Sequence, residues 1–364
     1  MTSPAERPSD SHEAAAIARL IDANLDRSRE GLRVLEDWAR FGLDRADLVA
    51  RTKDLRQRLG RLHRQRYKLA RHTATDPAAG LGHPAQLDRS TASDVVAANA
   101  ARVQEALRVL EEYGRLQDPL LATEAAQIRY QLYDLEIELI TMTSTGEQRR
   151  RLLHSCRLYL ITGPDGDLEA TVSAALQAGV RRVQYRAKDD GGGGVDDCRR
   201  LKEGLALRRL CHRHGALLII NDRVDLALAV DADGVHLGQG DLPPAIARRM
   251  LGPERLIGRS THAIDQLRQA VTEGCDYAGV GPVNATPTKP GRSPVGLDYV
   301  RQASGETAIP WFAIGGIDAD TLHAVRRAGA QRVAVVRAIC DAPDPGQAAA
   351  RLLSMLSSLV EPSR

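Results

Sequence analysis

The stretch Leu217-Leu218-Ile219-Ile220-Asn221-Asp222-Arg223-Val224-Asp225-Leu226-Ala227-Leu228-Ala229-Val230-Asp231-Ala232-Asp233-Gly234-Val235-His236-Leu237 decides the fold of most of this chain. A short apolar run ends in three polar residues, an amphipathic segment follows, and a second apolar run begins at Gly234. That order is the signature of a strand–helix–strand unit. The same texture holds from Arg157 onward, with apolar runs at Leu158–Ile161, Arg182–Tyr185, Leu217–Ile220, Gly234–Leu237, Leu256–Gly258, Tyr277–Val280, Trp311–Ile314 and Arg332–Val336. Each gap has room for one helix, as at Leu168–Ala178, Asp196–His214 and Ala263–Glu273. Eight such units in about 205 residues predict a small (β/α)₈ TIM barrel, assigned to residues 155–360. A doubly wound open sheet more often carries a glycine-rich turn after its first strand, and Gly163-Pro164-Asp165-Gly166 is not that fingerprint.

Residues 13–145 read differently. They are rich in Ala, Leu, Arg and Glu at helical spacing, with Gly and Pro concentrated in Asp76–Pro84, and predict an all-α domain. This half carries an internal repeat. Ala23-Asn24-Leu25-Asp26-Arg27-Ser28-Arg29-Glu30-Gly31-Leu32-Arg33-Val34-Leu35-Glu36 matches Ala98-Asn99-Ala100-Ala101-Arg102-Val103-Gln104-Glu105-Ala106-Leu107-Arg108-Val109-Leu110-Glu111 at nine of fourteen positions, 75 residues apart. Trp38 against Tyr113 and Arg40 against Arg115 continue it. Arg27 with Glu30, and Arg102 with Glu105, stand three apart on one helix face. They read either as an ion-pair ladder on a solvated surface or as a polar pocket for an anion, built twice. Arg51–Arg71 holds nine Lys/Arg and one acid, Asp54. It reads first as a solvated helix face, then as a phosphate or nucleotide site, with little aromatic interleaving to support nucleic acid. Gly146–Leu153 is read as a linker, with the first turn of a barrel-capping helix as the alternative.

With 43% hydrophobic and 27% charged residues, the 364-residue chain has the composition of a globular protein, and its length suggests two domains. No apolar run approaches the roughly 20 residues that span a bilayer. Met1–His12 is polar and lacks the apolar core of a signal peptide, so a cytoplasmic location is expected. The five cysteines, Cys156, Cys198, Cys211, Cys275 and Cys340, form no CxxC pair and are expected as buried, reduced thiols. A net charge of +3 gives no global reason to expect nucleic acid. The partners expected are small-molecule substrates, without nucleic acid or membrane; a homo-oligomer is left open.

In a (β/α)₈ barrel the residues that follow each strand build the active site. Here they are Gln184-Tyr185-Arg186-Ala187-Lys188, Asn221-Asp222-Arg223, Gln239-Gly240-Asp241, Ser260-Thr261-His262, Asn284-Ala285-Thr286-Pro287-Thr288-Lys289, Gly315-Gly316 and Arg337. Arg186, Lys188 and Lys289 supply positive charge for a polyanion. Asp222 and Asp241 are carboxylates of the kind that share Mg²⁺ with substrate phosphates. A diphosphate follows as the natural ligand, and the Gly315-Gly316 turn with the backbone after strand eight suggests a second, monophosphate substrate. No Ser/His/Asp order or paired glutamates stand out, so the site suits charge stabilisation rather than a covalent nucleophile. Taken singly, Asp222 could cap a helix at Val224 and Asp241 one at Pro243. His236 reads as a packed or hydrogen-bonded residue at the barrel top rather than as a base.

The motifs QYRAK (184–188), NDR (221–223), DADGVHLGQGD (231–241), GRSTH (258–262), GVGPVNATPTKPG (279–291), AIGGI (313–317) and VVRAI (335–339) stand in register across residues 157–345. In order and spacing they closely resemble the thiamine phosphate synthase family. The resemblance implies a transferase of thiamine biosynthesis that joins 4-amino-2-methyl-5-hydroxymethylpyrimidine diphosphate to thiazole phosphate, or its carboxylated form, with loss of pyrophosphate. It implies Mg²⁺ as cofactor, held by Asp222 and Asp241. The pyrimidine diphosphate would lie against Gln184, Tyr185, Arg186, Ala187, Lys188, Asn221, Ser260 and Lys289. The thiazole phosphate would lie against Thr286, Pro287, Thr288, Gly316, Val336 and Arg337, and Arg186, Lys188 and Lys289 would be catalytic. Arg337 departs from the small serine common in the family; a guanidinium can serve a phosphate equally. The alternatives are a thiazole tautomerase-like barrel, which lacks the diphosphate-binding cations, and a non-catalytic sensor or scaffold for thiamine precursors. Through DANLDRSREGLRVLED and ANAARVQEALRVLEEYGR, the helical half resembles a domain found ahead of such synthases in some bacteria and associated with hydroxymethylpyrimidine phosphate kinase activity. No Walker-type loop occurs in residues 1–150, and a scaffolding role stays open beside the kinase.

Overall fold

The computed structural model describes residues 8–71, 89–164, 166–187, 195–286, 293–306 and 309–358. They fall into two compact units, Met1–Thr145 and Gly146–Arg364.

The first unit is helical among its described residues: α1 (Pro8–Asp37), a π turn (Trp38–Gly42), α2 (Ala46–Leu62), α3 (Gln65–Leu69), α4 (Ala92–Gln117) and α5, which starts at Pro119. The apolar stripe of α1, Ile17, Ile21, Leu25, Leu32 and Leu35, faces that of α4, Val96, Ala100, Val103, Leu107 and Leu110, in one core. Gly31 sets how closely the two helices approach, because a Cβ there would stand 2.4 Å from Val103 Cγ2. α4 starts in a reciprocal cap: the Thr91 hydroxyl accepts from Asp94 N, and the Asp94 carboxylate accepts from Thr91 N.

The arginines of this unit are consumed internally. Glu36 is buried and accepts from Arg56 Nε at 2.8 Å, with Arg33 at 3.4 Å. Glu111 is buried likewise and accepts from Arg129 at 2.9 Å and Arg115 at 2.9 Å, with Arg108 at 3.1 Å. In the basic run, Arg51 meets Glu138, Arg58 meets Glu124, Arg64 and Arg66 meet the buried Asp118, and Arg71 meets Asp22 and Asp26. The run is therefore no uniformly solvated face, because carboxylates from neighbouring helices meet these five cations. Arg27, Glu30, Arg102 and Glu105 are exposed. The charged members of the matching segments that are buried are Glu36 and Glu111.

The second unit is a closed barrel of eight parallel strands in the order β1-β2-β3-β4-β5-β6-β7-β8. They are β1 (Leu158–Ile161), β2 (Arg182–Tyr185), β3 (Leu217–Asn221), β4 (Gly234–Leu237), β5 (Leu256–Thr261), β6 (Tyr277–Val280), β7 (Trp311–Ile314) and β8 (Val333–Val335). Between them lie α6 (Leu168–Gln177), α7 (Asp197–Arg213), α8 (Val224–Ala229), α9 (Pro244–Leu251), α10 (Ile264–Thr272), α11 (Gly296–Glu306) and α12 (Leu322–Arg327), with α13 (Arg337–Cys340) and α14 (Pro345–Ser357) after β8. One apolar layer lies between strands and helices and includes Val183, Leu218, Val235 and Ala278. A second fills the interior with Tyr159, Ile161, Leu217, Ile219, Tyr277 and Phe312. Because both faces are covered, the strands read as near-continuous apolar runs.

Residues 146–153, read as a linker, are instead the last turns of α5, which runs to Ser155. Leu153 joins the interior core, the buried Arg149 donates to Asp233 at 2.9 Å, and Arg150 reaches Asp276 at 3.3 Å. Arg149 and Arg150 of this segment supply these barrel contacts. Cys156, Cys211 and Cys275 are buried thiols, whereas Cys198 is exposed on α7 and Cys340 is half-buried, so the expectation of five buried cysteines fails at two of them.

Burial alone would raise the Glu111 carboxyl, but Arg129, Arg108 and Arg115 outweigh it and hold the pKa below the usual 4.5. Its contribution to stability is therefore present above that value and lost as pH falls through the lowered native value. Glu111→Gln should destabilise the helical unit by about 3 kcal/mol at neutral pH, because the largely buried Arg129 guanidinium loses its counter-charge. Urea unfolding followed by Trp38 fluorescence in a Trp311→Phe background checks this, and the difference from wild type should shrink on acidification.

Candidate active site

The C-terminal ends of the strands carry the polar residues singled out above, and the barrel sorts them into groups. A cavity of about 440 Å³ opens between the ends of β5 to β8. Its walls include Ser260, Thr286, Gly316, Val336 and Arg337, together with His262, Asp318 and Asp341. A second hollow of about 340 Å³ lies at the ends of β2 and β3, against Tyr185, Ala187, Asn221, Asp222 and Arg223. Gln184 and Arg186 are buried at the end of β2. Lys188, Pro287, Thr288 and Lys289 lie outside the described residues, as do Gly191–Gly194.

Strand alternation decides what each β2 side chain can do. Gln184 points into the barrel and donates from Nε2 to the Tyr159 hydroxyl at 2.6 Å. Tyr185 points the other way and donates to Glu203 on α7 at 2.5 Å, which leaves its main chain, not its phenol, on the site side. Burial first, then the Glu203 carboxylate, pushes the Tyr185 phenol up from its ordinary pKa. Arg186 N donates to the buried Thr162 hydroxyl at 2.9 Å, fixing where β2 ends.

The two aspartates are held by backbone geometry. Asp222 adopts a left-handed conformation, φ 61°, while its N–H donates to His236 O at 2.9 Å. Such a conformation is less favoured for a residue with a Cβ, though Asp tolerates it better than most, as Asp44 and Asp231 also do. Asp241 Oδ2 accepts from Gly238 N at 2.6 Å. Neither caps the helix that follows: α8 takes Arg223 at its N-cap and α9 takes Pro243, both without a side-chain cap bond. The two carboxylates stand at the ends of adjacent strands, β3 and β4, and offer oxygen donors only.

The floor between the groups is a continuous polar chain. Tyr159 and Tyr277 hydroxyls meet at 3.2 Å, Tyr277 lies 3.1 Å from His236 Nδ1, and His236 Nε2 lies 2.9 Å from Ser260 Oγ. His236 also stacks on the Tyr277 ring, with centroids 5.5 Å apart. Burial holds the Tyr277 phenol well above its usual pKa, so it stays protonated.

At the far side, Gly315 and Gly316 form a turn that only glycine can make. Their φ values are 107° and 58°. A Cβ would stand 2.6 Å from Pro282 Cα at Gly315 and 2.9 Å from Asn284 Cβ at Gly316. Beside this turn, burial by itself would raise the Asp318 carboxyl, but hydrogen bonds from Thr321 and Asp320, with the charge of Arg337, hold it below the ordinary range.

The rim residues read from the sequence include His262, without a role, and omit Asp318 and Asp341. Asp318 could have been found, since it follows the glycine pair by two positions. Tyr159 and Tyr277 gave no signal, because a strand apolar on both faces does not show which residues point inward.

A family model described as thiamine monophosphate synthase matches residues 158–339, and one described as the ThiD2 family matches residues 19–138. The thiamine-phosphate synthase of Prochlorococcus marinus (strain MIT 9303) is 58% identical over 345 residues, covering 93% of this chain and 96% of that protein. That of Nostoc sp. is 51% identical over 343 residues, covering 94% and 95%. Among solved structures, a thiamine phosphate pyrophosphorylase from Pyrococcus furiosus superposes with a TM-score of 0.51 at 33% identity, over 57% of this chain and 96% of that one.

Gly315→Ala should destabilise the barrel by roughly 2 kcal/mol, since it combines a disfavoured φ with an overlap against Pro282. A lowered midpoint in thermal unfolding followed at Trp311 checks this; an unchanged midpoint means the loop after β6 yields.

Proposed function

The chain belongs to the thiamine-phosphate synthase family and is a transferase of thiamine biosynthesis, and from that premise we propose how its residues divide the work. The observation that carries the proposal is the glycine-walled cavity after β5 to β8, lined by Ser260, Thr286, Gly316, Val336 and Arg337, with Asn221 and Asp222 at a separate hollow after β2 and β3. The first takes the thiazole phosphate, against the Gly315-Gly316 turn, Val336, Arg337 and Thr286, with the Thr288 region completing it. The pyrimidine diphosphate lies between the two, with Gln184 and Ser260, which also lines the first cavity, on the ring and Arg186, Asn221, Lys188 and Lys289 on the phosphates. Tyr185 and Ala187 contribute main chain.

Asp222 and Asp241 fit Mg²⁺. Both offer hard oxygen donors, and two carboxylates suit an ion whose remaining positions are filled by water and substrate phosphates. Once bound, the ion would supply positive charge against the diphosphate leaving group. The chain's own part is to fix both substrates and to balance charge. Departure of pyrophosphate breaks the bond to the pyrimidine methylene and leaves a resonance-stabilised cation, which the thiazole nitrogen captures through its lone pair. Arg186, Lys188 and Lys289 stabilise the charge gathering on the departing pyrophosphate. No side chain need take a proton.

For the helical unit, residues 13–145, the sequence resemblance and the ThiD2 family match support phosphorylation of hydroxymethylpyrimidine phosphate, which would supply the diphosphate that the barrel, residues 155–360, consumes. The unit also reads as an internal duplication. The buried positions Ile21, Leu25, Ser28, Leu32 and Leu35 correspond to Val96, Ala100, Val103, Leu107 and Leu110 at the offset of the sequence repeat. Leu48, Thr52, Leu55, Leu59 and Leu62 of α2 correspond to Leu121, Ala125, Ile128, Leu132 and Leu135 of α5, and Arg56 on Glu36 corresponds to Arg129 on Glu111. No helix of the described residues is long and apolar enough to cross a membrane, and we place the enzyme in the cytoplasm.

Pyrophosphate release by the full chain, given both substrates, should depend on Mg²⁺ and yield thiamine phosphate. Asp222→Asn should lower kcat about 100-fold and raise the Mg²⁺ concentration needed, as expected for loss of a preorganised charge. Equal turnover in the variant would sink the metal assignment. With the barrel silenced by Asp222→Asn, the full chain should still transfer the γ-phosphoryl group of labelled ATP to hydroxymethylpyrimidine phosphate; no transfer would leave the helical unit a scaffold.

A further inference from the structure

Arg182 lies on β2 two residues before Gln184, so both side chains point into the barrel. It is completely buried, and none of its three guanidinium nitrogens has a hydrogen-bond partner. What surrounds it is aromatic. Its guanidinium carbon stands 3.6 Å from the ring centroid of Tyr277, 3.9 Å from Tyr159 and 4.6 Å from Phe312. These rings come from β6, β1 and β7 and also pack edge-on to one another, with centroids 5.4–6.2 Å apart. A cation over ring faces is attracted more strongly once water is excluded. As packing alone, however, a buried unpaired charge is a poor choice, and an apolar residue of similar size would serve as well or better.

The cage has a second feature: two of its rings carry the hydroxyls of the polar floor. The direction of that chain follows from donor and acceptor counting. Gln184 Nε2 donates to the Tyr159 oxygen, so the Tyr159 proton turns to Tyr277. The Tyr277 proton then turns to His236 Nδ1, which leaves Nε2–H to donate to Ser260 Oγ. The Ser260 proton is left for the cavity that Ser260 lines. At the other end, Gln184 spends one of its two amide N–H groups on Tyr159 and retains its amide oxygen as an acceptor. An acceptor and a donor fixed at the two ends match an amino N–H next to a ring nitrogen, the edge of an aminopyrimidine.

We propose that Arg182 is a positioning residue for pyrimidine recognition: by clamping the Tyr159 and Tyr277 rings it locks the Gln184–Tyr159–Tyr277–His236–Ser260 chain, and so fixes which end accepts and which donates. The proposal rests on the assignment of Gln184 and Ser260 to the pyrimidine. Hydrogen bonds in such chains polarise one another, so a break in the middle is felt at both ends.

The test uses the full chain with Arg182→Met, which keeps length and removes charge, and Tyr277→Phe, which removes one oxygen. Each should raise KM for the aminopyrimidine diphosphate roughly tenfold, the scale of one hydrogen bond's contribution. KM for thiazole phosphate should not move, and the thermal midpoint of Arg182→Met should be unchanged or higher. The inhibition constant of the same diphosphate lacking its amino group should be equal in wild type and variants, a selectivity that loosened packing would not produce. Unchanged KM in both folded variants overturns the proposal, as does an equal loss for both substrates and the deamino analogue. If Arg182→Met does not fold, Tyr277→Phe decides by the same readings. Wild-type protein that forms no thiamine phosphate would instead bring down the substrate assignment on which the proposal stands, and the proposal with it.

Discussion

The pairing of β8 with β1 is the constraint on which the rest of the barrel depends. Leu158 lies opposite Val333, Tyr159 opposite Ala334 and Leu160 opposite Val335, and Val333 N donates to Arg157 O at 2.9 Å. Three residues of β8 thus close a ring of eight strands. Left open, the sheet would present two bare edges, and the loops after β7 and β8 would not face those after β2 to β4. Closure turns eight separate polar strand ends into one rim. It also gives the interior its shape, since Tyr159, Tyr277 and Phe312 meet only when β1, β6 and β7 stand around a common axis.

The interior is not uniformly apolar, and its polar groups are layered. Deepest lies Arg182 among three rings; above it run the tyrosine hydroxyls, His236 and Ser260; above these stand the carboxylates and the glycine turn. Each layer restrains the next. Gly258 allows this stacking, because a Cβ there would fall 2.0 Å from Tyr277 Cζ. The left-handed backbone at Asp222 is held in the same way: its N–H is tied to His236 O on β4, so the turn cannot change without unpairing the end of β3.

The helical unit meets the problem of buried charge by a different route. Glu36 and Glu111 are each surrounded by two or three guanidinium groups, so their burial is balanced by ion pairs rather than by ring faces. The sequence repeat drew attention to Arg27, Glu30 and their counterparts, which are exposed, while Glu36 and Glu111 of the following Arg33-x-x-Glu36 and Arg108-x-x-Glu111 pairs are buried. A shift of six residues along a helix separates the two outcomes, and a repeat by itself does not say which face is inside.

The sequence by itself determined the two textures, the eight strands within one to three residues at their ends, and the polar inventory of the rim, because periodicity and strand-end chemistry are local properties. It also carried the family, through seven motifs in register. Only the tertiary structure decided that Gly146–Leu153 continues a helix, since a short polar run reads as linker unless its partners Asp233 and Asp276 are known. Which β2 residue faces the site was likewise hidden: in a strand buried on both faces Gln184 and Tyr185 look alike until α7 and Glu203 are in place. Arg182, Tyr159 and Tyr277 were silent for the same reason. Their meaning lies in contacts between strands more than 20 residues apart in sequence, which exist only once the barrel has closed.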